Sequence, residues 1–202
     1  LKLPAEAYPR LSVVRALADD DAAYLGPFSS RRTAELAAAG VYDAVPLRQC
    51  THKLSTRTRT PACALAELGR CPAPCEHEIS VEEYTARAAL PFRTATSGDP
   101  RPIVDALMAR IEVLSTRQRY EEAAVVRSRL VALLRATVRM QRLGALTRLP
   151  ELVAARRDQA GGWEIAVVRH GRLAAAATSP PRQHPRPTLD LARATAETVR
   201  PG

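Results

Sequence analysis

The sequence predicts an α+β fold, and three of its patterns lead to that expectation. Four cysteines lie between residues 50 and 75, two later segments repeat apolar residues at helical spacing, and a C-terminal stretch alternates short apolar runs with glycine turns. We therefore expect a small mixed N-terminal part with a four-cysteine loop, then an antiparallel helical hairpin, then a short C-terminal β-hairpin region. Aromatic residues make up only 4% of the chain, so Ala, Leu and Val must supply the core.

Residues 1–49 are expected to combine short strands with one helix. Residues 11–14 form an apolar, partly β-branched run that is typical of a strand. Ser30 can cap a helix over residues 31–39, because its side-chain oxygen can accept a backbone N–H of the first turn. Gly40 follows directly and is predicted to end that helix by adopting the left-handed conformation.

Residues 50–92 are expected to form a module around the only cysteines of the chain, which are Cys50, Cys63, Cys71 and Cys75. Four thiolates can hold zinc or an iron–sulfur cluster. Two disulfides are the competing interpretation. Disulfides belong to oxidising compartments, however, and the N-terminal residues show no signal-peptide pattern. We therefore favour a metal site.

The loop between the first two cysteines lacks hydrophobic periodicity and is expected to be exposed and basic. Its cations Lys53, Arg57 and Arg59 are candidate contacts to DNA phosphates. The same cations could instead offset the negative charge of four nearby thiolates. A solvated loop with neither task is the third interpretation, since basic side chains are common on protein surfaces.

A helix start is predicted at residues 79–84. Ser80 and Glu83 stand at the spacing at which the two side chains satisfy each other's backbone donors. The helix is expected to stop before Pro91, and a linker to follow over residues 94–100.

A helical hairpin is predicted over residues 100–142. One helix begins at Pro102, a break occurs at residues 115–119, and the second helix covers residues 120–142. The apolar stripe of this hairpin is too large to be buried within it. It must therefore dock on another domain, pair with a similar hairpin of a partner, or join the core of this chain.

The C-terminal third is expected to contain a small β region at residues 150–178. Its strands are predicted at residues 151–156, 163–169 and 172–178, where short apolar runs are separated by glycine turns. Residues 179–202 then read as a proline-rich linker that ends in a weak amphipathic helix.

The chain is strongly basic, with a formal net charge of +9 and a pI near 10.1. Such a balance is typical of proteins with a polyanionic partner, most often nucleic acid, although an arginine- and alanine-rich composition can also reflect a GC-rich coding sequence. No apolar run approaches the roughly 20 residues of a membrane span, so we expect a soluble, cytoplasmic protein. The first residue is Leu1 rather than Met, which predicts a piece of a longer protein.

Several short motifs, in this order and over about residues 1–140, resemble those of the UvrC family, the incision subunit of bacterial nucleotide excision repair. They are Tyr-Pro-Arg-Leu at 8–11, Tyr-Leu-Gly-Pro-Phe at 24–28, Pro-Leu-Arg-Gln-Cys at 46–50, Gly-Arg-Cys-Pro-Ala-Pro-Cys at 69–75, Ile-Ser-Val-Glu-Glu-Tyr at 79–84 and Arg-Tyr-Glu-Glu-Ala-Ala-Val-Val-Arg at 119–127. The last of them is similar to the core of the UVR motif. No single motif is specific, but the ordered set is.

The resemblance implies a cofactor and a partner. The four cysteines would be the ligands of a [4Fe–4S] cluster, with zinc as the alternative. The hairpin would be a UVR domain that binds UvrB. Ser128 stands where the family motif usually has Asp, which puts one polar contact in doubt. The partner-binding positions carried over from the motif are Tyr120, Ala123, Ala124, Arg127 and Leu130.

Incision chemistry is not expected from this chain by itself. The resemblance implies a GIY-YIG nuclease centre before Leu1 and an RNase H-like centre after the UVR segment. No carboxylate cluster suited to two-metal hydrolysis is visible, and Asp190 and Glu197 are expected to be solvated on the terminal helix. A related architecture fuses a DnaQ-type exonuclease ahead of a UvrC-like half, and the proline-broken tail suits it. The alternative function is a zinc-stapled protein-interaction adaptor with no DNA role.

Overall fold

The computed structural model describes residues 1–200 and is mixed α and β, which confirms the predicted α+β class. The chain forms two compact units, Leu1–Met140 and Gln141–Gly202. Within the described residues, no helix is both long enough and apolar enough to cross a membrane.

The first unit begins with a two-stranded antiparallel sheet. Strand β1 (Lys2–Leu3) pairs with β2 (Ala23–Tyr24), with Lys2 opposite Tyr24. The strand predicted at residues 11–14 is reduced to a single bridge between Ser12 and Lys2. Its two valines are exposed, so no packing surface extends the pairing beyond that bridge.

Helix α1 (Arg31–Ala44) is capped as predicted, because the Ser30 hydroxyl accepts the backbone N–H of Thr33 at 3.2 Å. The predicted stop at Gly40 is wrong, since the helix continues through it to Ala44. Gly40 is buried, and a side chain there would begin only 3.3 Å from Cβ of Arg129. This glycine therefore permits a close approach between two helices and does not end one.

The cysteine loop contains a short helix α2 (Ala64–Glu67) and a single 3-10 turn (Pro74–Glu76). These short pieces are separated by irregular backbone, in keeping with a segment that has no hydrophobic periodicity of its own.

Helix α3 (Val81–Tyr84), a π-helical turn (Thr85–Ala89) and helix α4 (Leu90–Ser97) run on without a break, so the predicted end before Pro91 is wrong. In the wider turn the N–H of Leu90 bonds to the carbonyl of Thr85, five residues earlier. The chain can therefore pass a residue that lacks an N–H group.

The predicted helical hairpin is present, and its two helices are α5 (Arg101–Thr116) and α6 (Tyr120–Thr147). The second helix extends beyond the predicted end at residue 142. One face of each helix belongs to the main hydrophobic core of the first unit, together with Leu3, Val41 and Phe92. The contributing residues are Ile103, Leu107, Leu114, Ala123, Val126, Leu130, Ala132, Leu133 and Ala136. The sequence left three possible fates for the apolar stripe of the hairpin. One face of each helix joins the core of this chain, which is the third of them.

The second unit contains an antiparallel sheet of β3 (Leu152–Arg157), β4 (Trp163–Arg169) and β5 (Arg172–Ser179), in that order. All three strands begin and end within a residue of their predicted positions. Helix α7 (Arg186–Thr195) packs on the sheet and starts inside the predicted linker, because proline is tolerated in the first turn of a helix.

A buried carboxylate joins the parts of the first unit. Asp43 of α1 is 1% exposed and is paired with Arg129 of α6 at 2.5 Å, Arg70 of the cysteine loop at 3.5 Å and Arg110 of α5 at 3.8 Å. One side chain therefore ties the cysteine loop and both hairpin helices to α1.

Replacing Asp43 with Asn should lower the free energy of unfolding by about 3 kcal/mol, because removal of the carboxylate leaves cationic groups without a counter-charge in a largely buried place. Urea denaturation followed by far-ultraviolet circular dichroism measures this decrease. Tryptophan fluorescence would not, because the only tryptophan, Trp163, lies in the other unit. Glu35→Gln is the control on the same helix, where an exposed pair with Arg31 should change stability by less than about 0.5 kcal/mol. Equal decreases in the two variants would contradict the role assigned to Asp43.

Candidate metal centre and interaction surfaces

The four predicted ligands lie on different pieces of the cysteine loop. Cys50 follows the buried segment that leaves α1, Cys63 is the residue before α2, and Cys75 sits inside the 3-10 turn. Cys63 is exposed, Cys50 and Cys71 are half-buried, and Cys75 is buried. All four are free thiols, so the loop is not closed by a disulfide.

The thiols influence one another's ionisation. Burial raises the pKa of Cys71, and the charges of Cys50, Cys63 and Cys75 raise this pKa further. Burial likewise raises the pKa of Cys75, with added contributions from Cys50 and Cys63. Like charges have such effects only at short range. A cationic group bound among the thiols would relieve the mutual repulsion of their thiolate forms.

The four thiols do not form a ready-made site for one ion. Across residues 1–200, no group of three or more His, Cys, Asp or Glu side chains is arranged to hold one metal ion. By the chemistry of its donors, a set of four thiols suits either zinc or an iron–sulfur cluster.

Two hydrogen bonds attach the segment before Cys63 to the turn that carries Cys75. The N–H of Thr60 donates to the carbonyl of Cys75 at 2.9 Å, and the N–H of Ala62 donates to the Glu76 carboxylate at 2.9 Å. The loop is therefore braced around its ligands by contacts that do not depend on the thiols.

Arg48 lies in the Pro-Leu-Arg-Gln-Cys motif at 46–50, but the sequence analysis gave it no role at this site. The residue is 3% exposed, and its guanidinium donates to the Cys50 sulfur at 3.3 Å, to the Cys50 carbonyl at 2.9 Å and to the His52 carbonyl at 3.0 Å. The available signal was a charged residue at the end of a buried apolar run, two positions before the first cysteine. Such a charge requires a partner, and here the partner is the first ligand loop.

The predicted phosphate contacts lie on the surface. Lys53, Arg57 and Arg59 are all exposed, and none of them forms a salt bridge with a residue in the part of the chain that the structure describes. The hydroxyl of Ser55 accepts the N–H groups of Arg57 and Thr58, which bends the loop into a turn. These three cations are therefore available to a polyanion next to the cysteines.

The predicted partner-binding residues of the hairpin divide between two faces of α6. Ala123 and Leu130 are buried in the core of the first unit. Tyr120, which is 64% exposed, Ala124 and Arg127 share an outer face at helical spacing. Val131 and Val138 extend this outer face, and both are exposed. We call this set the outer hairpin face.

Of the two isolated carboxylates expected on the terminal helix, Asp190 lies on α7 and Glu197 lies beyond its end at Thr195. Asp190 and Glu197 are both exposed, and the carboxylate of each has no ion-pair partner among residues 1–200.

Comparisons with known proteins agree with the motif resemblance. Residues 1–92 match the family model of the UvrC/Cho excinuclease middle domain. A protein of Mycobacterium tuberculosis named bifunctional exonuclease/endonuclease is 39% identical over 97% of this chain and 30% of its own length. UvrABC system protein C of Nitratidesulfovibrio vulgaris is 36% identical over 65% of this chain and 19% of its own length.

The same protein of Geobacter metallireducens is 31% identical over 83% of this chain and 27% of its own length. The chain thus spans less than a third of each of these relatives. No solved structure matched it.

Proposed function

The chain belongs to the UvrC family, and on that premise we propose that it is the cluster-bearing and partner-binding part of a DNA incision protein of nucleotide excision repair. The observation that carries the proposal is the cysteine loop, whose four free thiols all lie inside the region that matches the family's middle domain. The relatives are named as DNA repair or nuclease proteins, so a zinc-stapled adaptor without a DNA role is not favoured.

We propose a [4Fe–4S] cluster held by Cys50, Cys63, Cys71 and Cys75. Four free thiols are a donor set for such a cluster, and the resemblance of the surrounding motifs to the UvrC family favours the cluster over zinc. A bound cluster would cross-link a loop that has little secondary structure of its own and would neutralise its thiolates. The chain's own residues would orient the ligands, through the carboxylate of Glu76 and the buried guanidinium of Arg48.

We propose that the exposed cations of this loop contact DNA phosphates. Lys53, Arg57 and Arg59 project beside the cluster ligands, and the chain carries a net charge of +9. Phosphate contacts of this kind position a protein on DNA without reading its sequence. Acting on DNA would place the protein in the cytoplasm of a bacterium.

We propose that the outer hairpin face is a UVR surface that binds UvrB. Tyr120, Ala124 and Arg127 combine an aromatic anchor, a small residue that permits close approach and a cation, all on a face that the core leaves uncovered. Ala123 and Leu130 support this face from inside the unit and do not themselves meet the partner.

The M. tuberculosis relative supports a place for the chain in a larger nuclease. That protein is named for exonuclease and endonuclease activities, and this chain matches 30% of its length. We propose that the groups that cleave DNA belong to other domains of such a protein.

The cofactor is tested by anaerobic purification with metal analysis and a visible spectrum. The wild-type chain should carry about four irons, whereas Cys71→Ser and Cys75→Ser should lose most of them because a cubane needs each of its thiolate ligands. Glu76→Ala is the control, since it removes the carboxylate that accepts the N–H of Ala62 in the same loop and keeps all four thiols. Full iron content in the two serine variants would rule out the ligand assignment, and one zinc per wild-type chain would favour the adaptor.

Replacing Lys53, Arg57 and Arg59 together with Ala should weaken DNA binding and flatten its dependence on salt. The slope of log affinity against log salt should fall by about 0.9 for each phosphate of duplex DNA that the protein no longer neutralises. Fluorescence anisotropy with labelled duplex DNA over a series of salt concentrations measures this slope. The matched control removes the same charge from helices elsewhere, through Arg31→Ala, Arg32→Ala and Arg87→Ala. If both triple variants flatten the slope equally, the loop has no special role.

Replacing Ala124 with Arg should block the outer hairpin face without disturbing the core, because the position is exposed. Affinity for UvrB, measured by isothermal titration calorimetry, should fall about 30-fold, as expected when a central interaction worth about 2 kcal/mol is removed. Ala86→Arg makes the same change at an exposed helical position outside the hairpin. An affinity for the Ala124 variant equal to that of this control would contradict the proposed surface.

A further inference from the structure

We infer that Arg48 is a positioning and charge-tuning residue of the four-cysteine site, which acts through a direct hydrogen bond to the sulfur of Cys50. The inference rests on the proposed metal site and adds to it a residue outside the ligand set. It concerns how the first ligand is oriented and how much negative charge the site can hold.

The guanidinium has the geometry of a clamp on the first ligand. Its Nη1 atom lies 3.3 Å from the sulfur of Cys50, 2.9 Å from the carbonyl of the same residue and 3.0 Å from the carbonyl of His52. Three acceptors from one short stretch of the loop therefore converge on one nitrogen. The backbone of residues 50–52 is folded around the cation, which fixes the direction in which the Cys50 thiol points.

The other side of the guanidinium is anchored in the core. Its Nε atom donates to the carbonyl of Tyr8 at 2.6 Å, and the backbone N–H of Arg48 donates to the hydroxyl of Tyr84 at 2.9 Å. That hydroxyl donates in turn to the carbonyl of Pro9 at 2.8 Å. Arg48 is thus anchored to the segment that carries Tyr8 and Pro9 and to α3, so it can position the cysteine loop.

The guanidinium of Arg48 has only a weak counter-charge. The guanidinium is almost completely buried, yet its only carboxylate partner among residues 1–200 is Glu6 at 3.3 Å, which is 42% exposed and therefore screened by water. A buried cation with so weak a counter-charge is costly unless another negative group completes the pair. The site therefore offers a fixed positive charge 3.3 Å from the sulfur of Cys50, where an anionic group bound at the four cysteines would complete the pair.

Two consequences follow for an occupied site. A cationic donor on a ligand sulfur withdraws electron density from it and stabilises the more negative, reduced state, which raises the reduction potential. The same hydrogen bond holds the ligand in place against exchange with solvent. Lysine cannot replace it fully, because an ammonium group does not span the acceptors on both sides as a planar guanidinium does.

The test uses the whole chain, purified anaerobically with its cluster, and compares Arg48→Met and Arg48→Lys with the wild type. Retention of iron against a chelator should fall about 10- to 100-fold in the Met variant, the usual cost of removing an outer partner of a metal ligand. The midpoint potential should move to more negative values. The Lys variant should keep most of the potential, because it keeps the charge, but should lose iron faster than the wild type.

Tyr84→Phe is the control for a purely structural role. It removes the hydroxyl that braces the backbone of Arg48 and leaves the guanidinium against Cys50. This variant should lose stability to urea but keep the wild-type potential. If the Arg48 variants also keep that potential, and lose iron only as fast as Tyr84→Phe does, the inference is overturned. Should Arg48→Met fail to fold, the iron loss of Arg48→Lys is compared with that of Tyr84→Phe. Equal rates of iron loss in these two variants would then overturn the inference.

The same experiment separates this inference from the proposed cofactor. A wild-type chain that binds iron, with Arg48 variants indistinguishable from Tyr84→Phe, refutes the role of Arg48 alone. A wild-type chain that binds zinc refutes the cluster, and the role of Arg48 is then read from retention of zinc, with the same decrease of about 10- to 100-fold expected. A chain that binds neither metal refutes both.

Discussion

The first unit depends on the ion-pair junction at Asp43. This carboxylate is buried on α1 and faces three guanidiniums, one from the cysteine loop and one from each helix of the hairpin. Apolar packing brings the helices together, but packing between alanine-rich surfaces is weakly directional. A buried charge has few acceptable positions, so it fixes the register of the elements that meet there. The neighbouring approach of Gly40 to Arg129 shows how close α1 and α6 must come for this junction to form.

The same junction has fewer hydrogen-bond acceptors than its three guanidiniums could use. Three guanidiniums share one carboxylate, and the Nε atom of Arg129 is buried without a hydrogen-bond partner among the described residues. Arg70 and Arg110 are about half exposed and are therefore also satisfied by water. The strong pair is the one between α1 and α6, and the pairing from the cysteine loop is a weaker addition to it. A conformational change of the cysteine loop can consequently alter the ion pairs of the hairpin while the strong pair between α1 and α6 stays intact.

Charge is buried at two places in this unit, and both adjoin the cysteine loop. Asp43 attaches the loop to the helices through Arg70, whereas Arg48 attaches it to the N-terminal sheet through Tyr8 and Cys50. The loop has little hydrophobic surface with which to pack, so polar anchors replace a core. Cross-linking by a metal group is a natural complement to such anchors, because the segment between them is long and irregular.

The sequence predicted the features that local patterns determine and missed those that depend on distant neighbours. The three strands of the second unit and the helical hairpin follow from periodicity, and the cap at Ser30 follows from residue type. Gly40 and Pro91 have the local preferences of residues that end helices, but close helix packing and a π turn override them. Asp43 and Arg48 could not be assigned, because their partners lie up to 86 residues away in the chain. The arrangement of the four thiols was likewise set by interactions that spacing does not encode.

The two adjacent alanines of α6 show how one short motif can serve two surfaces. Successive residues of a helix point about 100° apart, so Ala123 faces the core while Ala124 faces outward. A motif that looks like a single interaction signature therefore specifies both how the hairpin sits on its own unit and what it presents to a partner. Because α6 also carries Arg129, the outer hairpin face is attached to the Asp43 junction through one rigid helix. The hairpin is thus a part of the unit that holds the cysteines, and a partner bound to its outer face is held at a defined position relative to them.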